Sequence, residues 1–392
     1  MPAPDATSPL RTPDLPKWFE LFLFAFAVAN VVWLVTAVLS GSWLWDAAGR
    51  FVSTDFLNVY AAGKFALSGA PVSAYDWPAH KAMEVQVIGY DFAGYYGWHY
   101  PPFYLFVAAA LATLPYAAAH AGWSAISFLP FLGAVRASTA HRTGFPLALA
   151  APALVANVLV GQNGFLTAGL IGLTLALLEK RPVLAGLCLG LLTYKPHFGI
   201  LFPVALAAAG HWRAFATAAV TATALALASI LAYGIEPWLA FLRWLPVTSQ
   251  AFLSEGRAEI EKMQSLFALL RTLGAPEWLA WTLHGMLAAG VAFAIWRIWR
   301  KRELAYEVKA AALGTGVLLA TPYIYLYDMV TIAIPIAFLL SLGMSRGFLR
   351  HELPMIAAAM LIVAFFPFVK LPVGLAASAI LAGLVWRRVM RA

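Results

Sequence analysis

Apolar runs of about 20 residues, long enough to cross a hydrocarbon core about 30 Å thick, recur along the whole chain between short polar or basic interruptions. The pattern predicts spans at 18–39, one net crossing within 101–135, then 145–160, 163–178, 182–194, 197–210, 213–234, 277–299, 305–326, 328–344, 353–369 and 371–388. The stretch 101–135 is long for one helix and is broken by Pro115 and Pro130, so a span plus a half-helix is the alternative. Around Tyr194-Lys195-Pro196-His197 two short spans are preferred to one kinked span, which would move His211-Trp212-Arg213 to the other side of the membrane. No period-two strand pattern, short repeat or low-complexity tract appears. The expected class is an all-α polytopic membrane protein with about 12 transmembrane helices.

Two connections are too long to be simple turns: about 41–98 and about 235–276. Neither can support a core of its own, so interfacial helices lying against the membrane part are expected there. Residues 1–17 read as a solvated cytoplasmic tail, and 18–392 as a single transmembrane domain. The run after the tail is too long for the apolar part of a cleavable signal peptide.

Composition agrees. Of 392 residues, 62% are hydrophobic and 11% charged, with a mean hydropathy of +0.79. A soluble domain carries about a quarter of its residues charged. The net charge of +8 would suggest nucleic acid in a soluble protein. Here the basic clusters sit between apolar runs, as at Lys180/Arg181, Arg297/Arg300/Lys301/Arg302, Arg346/Arg350/His351 and Arg387/Arg388/Arg391. Cytoplasmic loops of membrane proteins collect such charge, which removes the need for a nucleic-acid partner. With all of these clusters inside, both termini are cytoplasmic and both long loops face outward, as expected of a multi-pass protein of the plasma (inner) membrane. Cys188, the single cysteine, has no internal partner and carries no redox information.

Polar residues are rare enough to carry meaning. Asp55, Tyr100, Gln162-Asn163, Lys195, His197, Glu236, Tyr323, Tyr325, Tyr327, Asp328 and Lys370 all fall near the predicted outer ends of helices. Interfaces also collect Tyr and snorkelling Lys, which accounts for part of the set but poorly for the acids. Asp55, isolated among apolar residues, suits a general base; its competing role is N-cap of the helix that Phe56 to Leu67 would form. Lys195, with His197, breaks two apolar runs and could neutralise a phosphate, or merely snorkel. Gly161-Gln162-Asn163-Gly164 offers amides to a ligand or is a turn. Asp328 either orients a sugar hydroxyl with Tyr323 and Tyr327 or stabilises a helix start. No phosphate-binding glycine loop, zinc spacing, HExxH, GxSxG or Asp-x-Asp pair is present, so no cofactor or metal is expected, and an enzyme of this kind needs a lipid-linked activated substrate.

In order along the chain stand Asp55-Phe56 with Tyr60-Ala61-Ala62-Gly63, Leu67-x-Gly69, Tyr75-Asp76, Tyr100-Pro101-Pro102-Phe103, Gly161-Gln162-Asn163-Gly164, Tyr194-Lys195-Pro196, and Thr321-Pro322-Tyr323 with Tyr327-Asp328. In this order the chain resembles glycosyltransferase family 87 of the GT-C superfamily, which includes polyprenyl-phosphate-mannose-dependent mannosyltransferases. The resemblance implies a GT-C fold, a polyprenyl-phosphate sugar (such as mannose) as donor, and inverting transfer to a lipid or glycan acceptor hydroxyl on the non-cytoplasmic face. It implies Asp55 as general base; beside it, the chemistry of the residues themselves suits donor contacts from Lys195, His197, Gln162, Asn163, Tyr323, Tyr327, Asp328 and Arg257. Where the family often presents a histidine in its late helix motif, this chain has Thr321-Pro322 followed by Tyr323, Tyr325 and Asp328. The rival reading is a transporter or lipid flippase, which calls for related halves and polar sites at mid-helix. A non-catalytic scaffold or polymerase subunit is a third.

Overall fold

The computed structural model describes residues 15–94, 96–139, 142–250 and 260–391; most of the N-terminal tail, and Arg257 with it, lies outside them. The described residues are helical throughout, with no strand beyond isolated bridges. Five helical stretches are long and apolar enough to cross a membrane: 17–39, 116–139, 212–233, 277–300 and 326–346. Shorter apolar helices occupy most of the other predicted spans.

The first helix, α1 (Lys17–Leu39), buries only Phe19, Leu23, Ala27 and Ala37. Its first three buried positions are four apart and form a single stripe, so the rest of its surface is left for lipid. Asn30 is the polar exception: its amide donates to Leu149 O at 2.8 Å and Ala151 O at 3.3 Å. Those carbonyls belong to a break. The predicted span 145–160 is in fact two short helices, α6 (Gly144–Leu149) and α7 (Leu154–Val160). Pro152 has no N–H to continue the ladder, and Ala153 turns the chain at φ +62°. In a membrane a freed carbonyl costs several kcal/mol unless something bonds it, and Asn30 does so from another helix.

The first long loop is better packed than an interfacial segment requires. It holds α2 (Phe56–Leu67) and α3 (Trp77–Ile88), and every residue of α2 from Phe56 to Gly63 is buried. Packed on α2 is α4 (Leu105–Ala112), so closely that a Cβ on Gly63 would meet Ala108 O at 2.1 Å. Then α5 (Tyr116–Thr139) runs the length of the body, so 101–135 is a short helix followed by a full one, divided at Pro115. Against α5 packs α8 (Gly164–Leu177). The 182–210 region contains α9 (Pro182–Leu191), α10 (Pro196–Gly199) and α11 (Phe202–Ala209), with Lys195 in the break. The long helix α12 (Trp212–Tyr233) lies along α9. The second long loop contributes α13 (Glu236–Ser249) and α14 (Leu266–Thr272); Trp244 on α13 stacks on Trp77 of the first loop with ring centroids 5.1 Å apart.

The C-terminal part comprises α15 (Glu277–Arg300), α16 (Tyr306–Ala320), α17 (Ala333–Arg346), α18 (Glu352–Ala364), α19 (Phe366–Val369) and α20 (Val373–Val389). Helices α16 and α17 are buried along nearly their whole length and form the centre of the core. Basic residues cluster at one end of the body. Arg136, Arg297, Arg300, Arg346, Arg387 and Arg388 lie in the last turns of their helices, and Lys180, Arg181 and Arg213 lie where helices meet. Edge contacts from His211 to Trp299 and from Trp299 to Tyr306, whose hydroxyl bonds to Leu175 O, show that several of these ends adjoin.

One buried ion pair sits at this end. Arg388 Nε donates to Glu352 Oε1 at 2.8 Å, its Nη2 bonds Glu352 Oε2 and Gly347 O, and the side chains are 8% and 0% exposed. Removing one member strands a buried charge. Arg388→Met should lower stability by about 3–5 kcal/mol, seen as a lower Tm in detergent; an unchanged Tm would mean that water reaches the carboxylate.

Candidate functional site

At the opposite ends of these helices the polar residues meet. Asp55 precedes α2 but does not cap it: no side-chain capping bond forms. Its carboxylate instead accepts a hydrogen bond from Gln162 Nε2 at 3.2 Å, across 107 positions. Gln162 Oε1 accepts from the Tyr100 hydroxyl at 3.4 Å and from Asn163 N–H at 3.1 Å, and Asn163 Nδ2 donates to the Tyr100 hydroxyl at 2.8 Å. Tyr100 is itself held through its carbonyl, which accepts from the Tyr75 hydroxyl at 2.9 Å.

The Gly161-Gln162-Asn163-Gly164 turn is thus both of the things its sequence allowed, a turn and a source of amides. Its glycines are demanded by neighbours. Gly161 has φ +64°, and a Cβ there would lie 2.5 Å from His120 Nε2 and 2.6 Å from Phe56 Cβ. At Gly164 a Cβ would lie 2.6 Å from Tyr327 O. The close approach brings residues 321–328 against the turn. Asn157 braces the turn from α7, its amide oxygen accepting from Gly164 N–H and its nitrogen donating to Gln162 O, each at 3.0 Å.

Lys195 lies on the other side of this junction. Its ammonium donates to Asp328 Oδ1 at 2.8 Å, with side chains 9% and 3% exposed, and faces the Phe198 and Tyr327 rings, each 5.5 Å away. Asp328 is occupied twice, because its Oδ2 also accepts from Tyr325 N–H at 3.2 Å in a capping box at the start of the short helix Leu326–Ile332. A lysine carries three N–H donors, and among the described residues Asp328 takes the one hydrogen bond seen. His197 lies behind, its ring edge-on to Tyr323 and its Nε2 buried without a hydrogen-bond partner among the described residues. Tyr327 stacks on Tyr325 at 5.4 Å.

Burial pushes the Tyr100 hydroxyl above the usual phenol value, and the charges of Asp55 and Asp328 raise it further, so this phenol stays protonated and donates to Gln162 Oε1. The structure brings together Asp55, Gln162, Asn163, Lys195, His197, Tyr323, Tyr327 and Asp328 from four separate stretches; Arg257 falls outside the described residues.

Several contributors escaped the sequence reading. Tyr194 and Thr167 share a 2.6 Å hydrogen bond behind Asn163, and Tyr194 stacks on Tyr104 at 4.8 Å. Gln264 of the second loop accepts through Oε1 from Gly374 N–H, and its own N–H donates to Ile324 O, fastening the tyrosine segment. Asn157 had a readable signal, being the one amide in an otherwise apolar run. Gln264 had none.

The fold and the site define a helical membrane protein whose polar chemistry gathers at one end of its helices. The chain belongs to glycosyltransferase family 87, whose model matches residues 98–322. It is a membrane glycosyltransferase. No curated protein and no solved structure matches it. The matched region contains Gln162, Asn163, Lys195 and His197, whereas Asp55, Tyr323, Tyr327 and Asp328 lie outside it. The hydrogen bonds from Gln162 to Asp55 and from Lys195 to Asp328 tie those outlying residues to the matched core.

Proposed function

We propose that the enzyme transfers a sugar, with mannose the first candidate, from a polyprenyl-phosphate donor to a hydroxyl of a lipid or glycan acceptor, with inversion and with Asp55 as general base. The supporting observation is that Asp55 bonds to Gln162, whose turn packs at Gly164 directly against Tyr327, the neighbour of the buried Lys195–Asp328 pair. The acceptor oxygen forms a bond to the anomeric carbon, the carbon–phosphate oxygen bond breaks, and the acceptor proton passes to Asp55. Charge develops on the departing phosphate, and the Lys195 ammonium is placed to meet it. A phosphate leaves without help from a protein acid. Gln162, Asn163, Tyr323 and Tyr327 would hold sugar hydroxyls, with His197 and Arg257 supporting the donor phosphate.

On this reading the chain is one GT-C-type transmembrane domain over residues 18–392, crossing the inner membrane about a dozen times. The basic end and both termini face the cytoplasm and the site faces outward. The rival transporter reading needs polar groups at mid-helix, and the polar groups here collect at helix ends.

Purified protein offered radiolabelled polyprenyl-phosphate sugars and nucleotide sugars, with a membrane-lipid extract as acceptor, should transfer label from the lipid-linked donors alone. Transfer from nucleotide sugars alone would refute the donor class.

A further inference from the structure

His120 stands in the second turn of α5, fully buried, with its ring between two segments that are distant in sequence. On one side Nε2 lies 2.9 Å from Val158 O, and since a carbonyl only accepts, the imidazole carries a proton on Nε2 there. Val158 belongs to the last turn of α7, where carbonyls run out of helical partners. The same carbonyl accepts from Gly161 N–H at 3.2 Å, so the imidazole holds the entry to the Gln162 turn. On the other side the ring stacks on Phe56, with centroids 4.9 Å apart and planes 18° from parallel. Phe56 directly follows Asp55. Trp43 lies against the imidazole at 5.3 Å and Tyr116 against Phe56 at 5.5 Å, which closes the stack. The 3.2 Å bond from Gln162 to Asp55 therefore has His120 against the backbone on both of its sides.

We propose, building on the reading of Asp55 as general base, that His120 is a positioning residue for it: one imidazole fixes the start of α2 and the Gln162 turn against each other, and so sets where the carboxylate stands.

Asp55 forms no capping bond to α2, so the helix it precedes does not fix its carboxylate. Its seat rests on how the start of α2 stands against the turn, and the space between His120 and Phe56 admits Gly161 but no Cβ. A general base must reach the proton it takes within a hydrogen bond, and a slip of about 1 Å costs about 10²-fold in rate. The two contacts of the ring can be separated. Nδ1 has no hydrogen-bond partner among the described residues, so His120→Phe removes a single hydrogen bond and keeps a flat ring on Phe56. His120→Gln does the reverse, offering an amide N–H to Val158 O and no ring.

The test needs no substrate in its first arm. Backbone hydrogen exchange of the purified protein should be faster in His120→Phe and in His120→Gln over both segments that the ring ties together, the start of α2 and the α7 end with its turn. It should be unchanged around Glu352 and Arg388. Faster exchange over one of the two segments alone would overturn the coupling, whatever the enzyme transfers. In the second arm, kcat for a polyprenyl-phosphate sugar should fall about 10²-fold in His120→Ala, which loses both contacts, and less in the other two variants, with donor KM unchanged. If the alanine variant is not recovered, the phenylalanine and glutamine variants carry this arm. In an Asp55→Asn background the same substitutions should cost little more, because the group they place is gone. Wild-type kcat in both His120→Phe and His120→Gln, or a full further loss in the Asp55→Asn background, would defeat the proposal. Full activity of Asp55→Asn itself, alongside the paired change in exchange, would instead fault the reading of the base alone.

Discussion

Asp55→Asn is expected to lower kcat for sugar transfer by about 10²–10⁴-fold, the range that a positioned general base contributes. Asparagine has nearly the shape of aspartate and keeps an acceptor oxygen for Gln162 Nε2, so the contact that seats the side chain survives. Since Asp55 makes no capping bond to α2, the helix loses no cap in the variant. Expression, Tm and donor KM should therefore stay close to wild type while turnover collapses, as when an interaction specific to the transition state is lost. Asp328 is a poorer candidate for the same role on geometry alone. Its two oxygens are committed to the Lys195 ammonium and to Tyr325 N–H. The decisive measurement is single-turnover transfer with saturating lipid-linked donor. A rate within threefold of wild type would remove Asp55 from the chemistry.

The membrane character and the order of helices were legible because apolar runs and proline breaks act locally. Pro115, Pro152 and Pro196 each lie where the structure shows a helix end or start. That a polar set would gather at one end was legible too, since charge is costly elsewhere in a bilayer. Pairings were not. Lys195 and Asp328 are 133 positions apart, and nothing local to either residue names the other. The cap considered for Asp55 does not form, and its carboxylate bonds instead to Gln162, a residue whose own motif reads equally well as a turn. Span continuity was overread at 145–160, because an apolar sequence hides a break whose carbonyls are satisfied from α1 by Asn30.

The Lys195–Asp328 pair allows its structural and functional roles to be separated. Lys195→Met leaves a buried carboxylate and Asp328→Leu a buried ammonium, and either should cost about 3–5 kcal/mol of stability. The double variant removes both charges and keeps apolar volume against the Phe198 and Tyr327 rings, so most of the lost Tm should return. Activity should not return. If the ammonium meets the departing phosphate, its loss removes stabilisation of developing charge, about 10²–10³-fold in kcat/KM for the lipid-linked donor. That deficit should be the same in Lys195→Met and in the double variant once each is corrected for its folded fraction. Lys195→Arg tests the geometry further: it keeps the charge but spreads it over a planar fork that cannot occupy the same enclosed spot, so stability should recover more than rate. Recovery of both Tm and donor kcat/KM in the double variant would reduce the pair to a structural clamp between the Tyr194-Lys195-Pro196 break and the tyrosine segment.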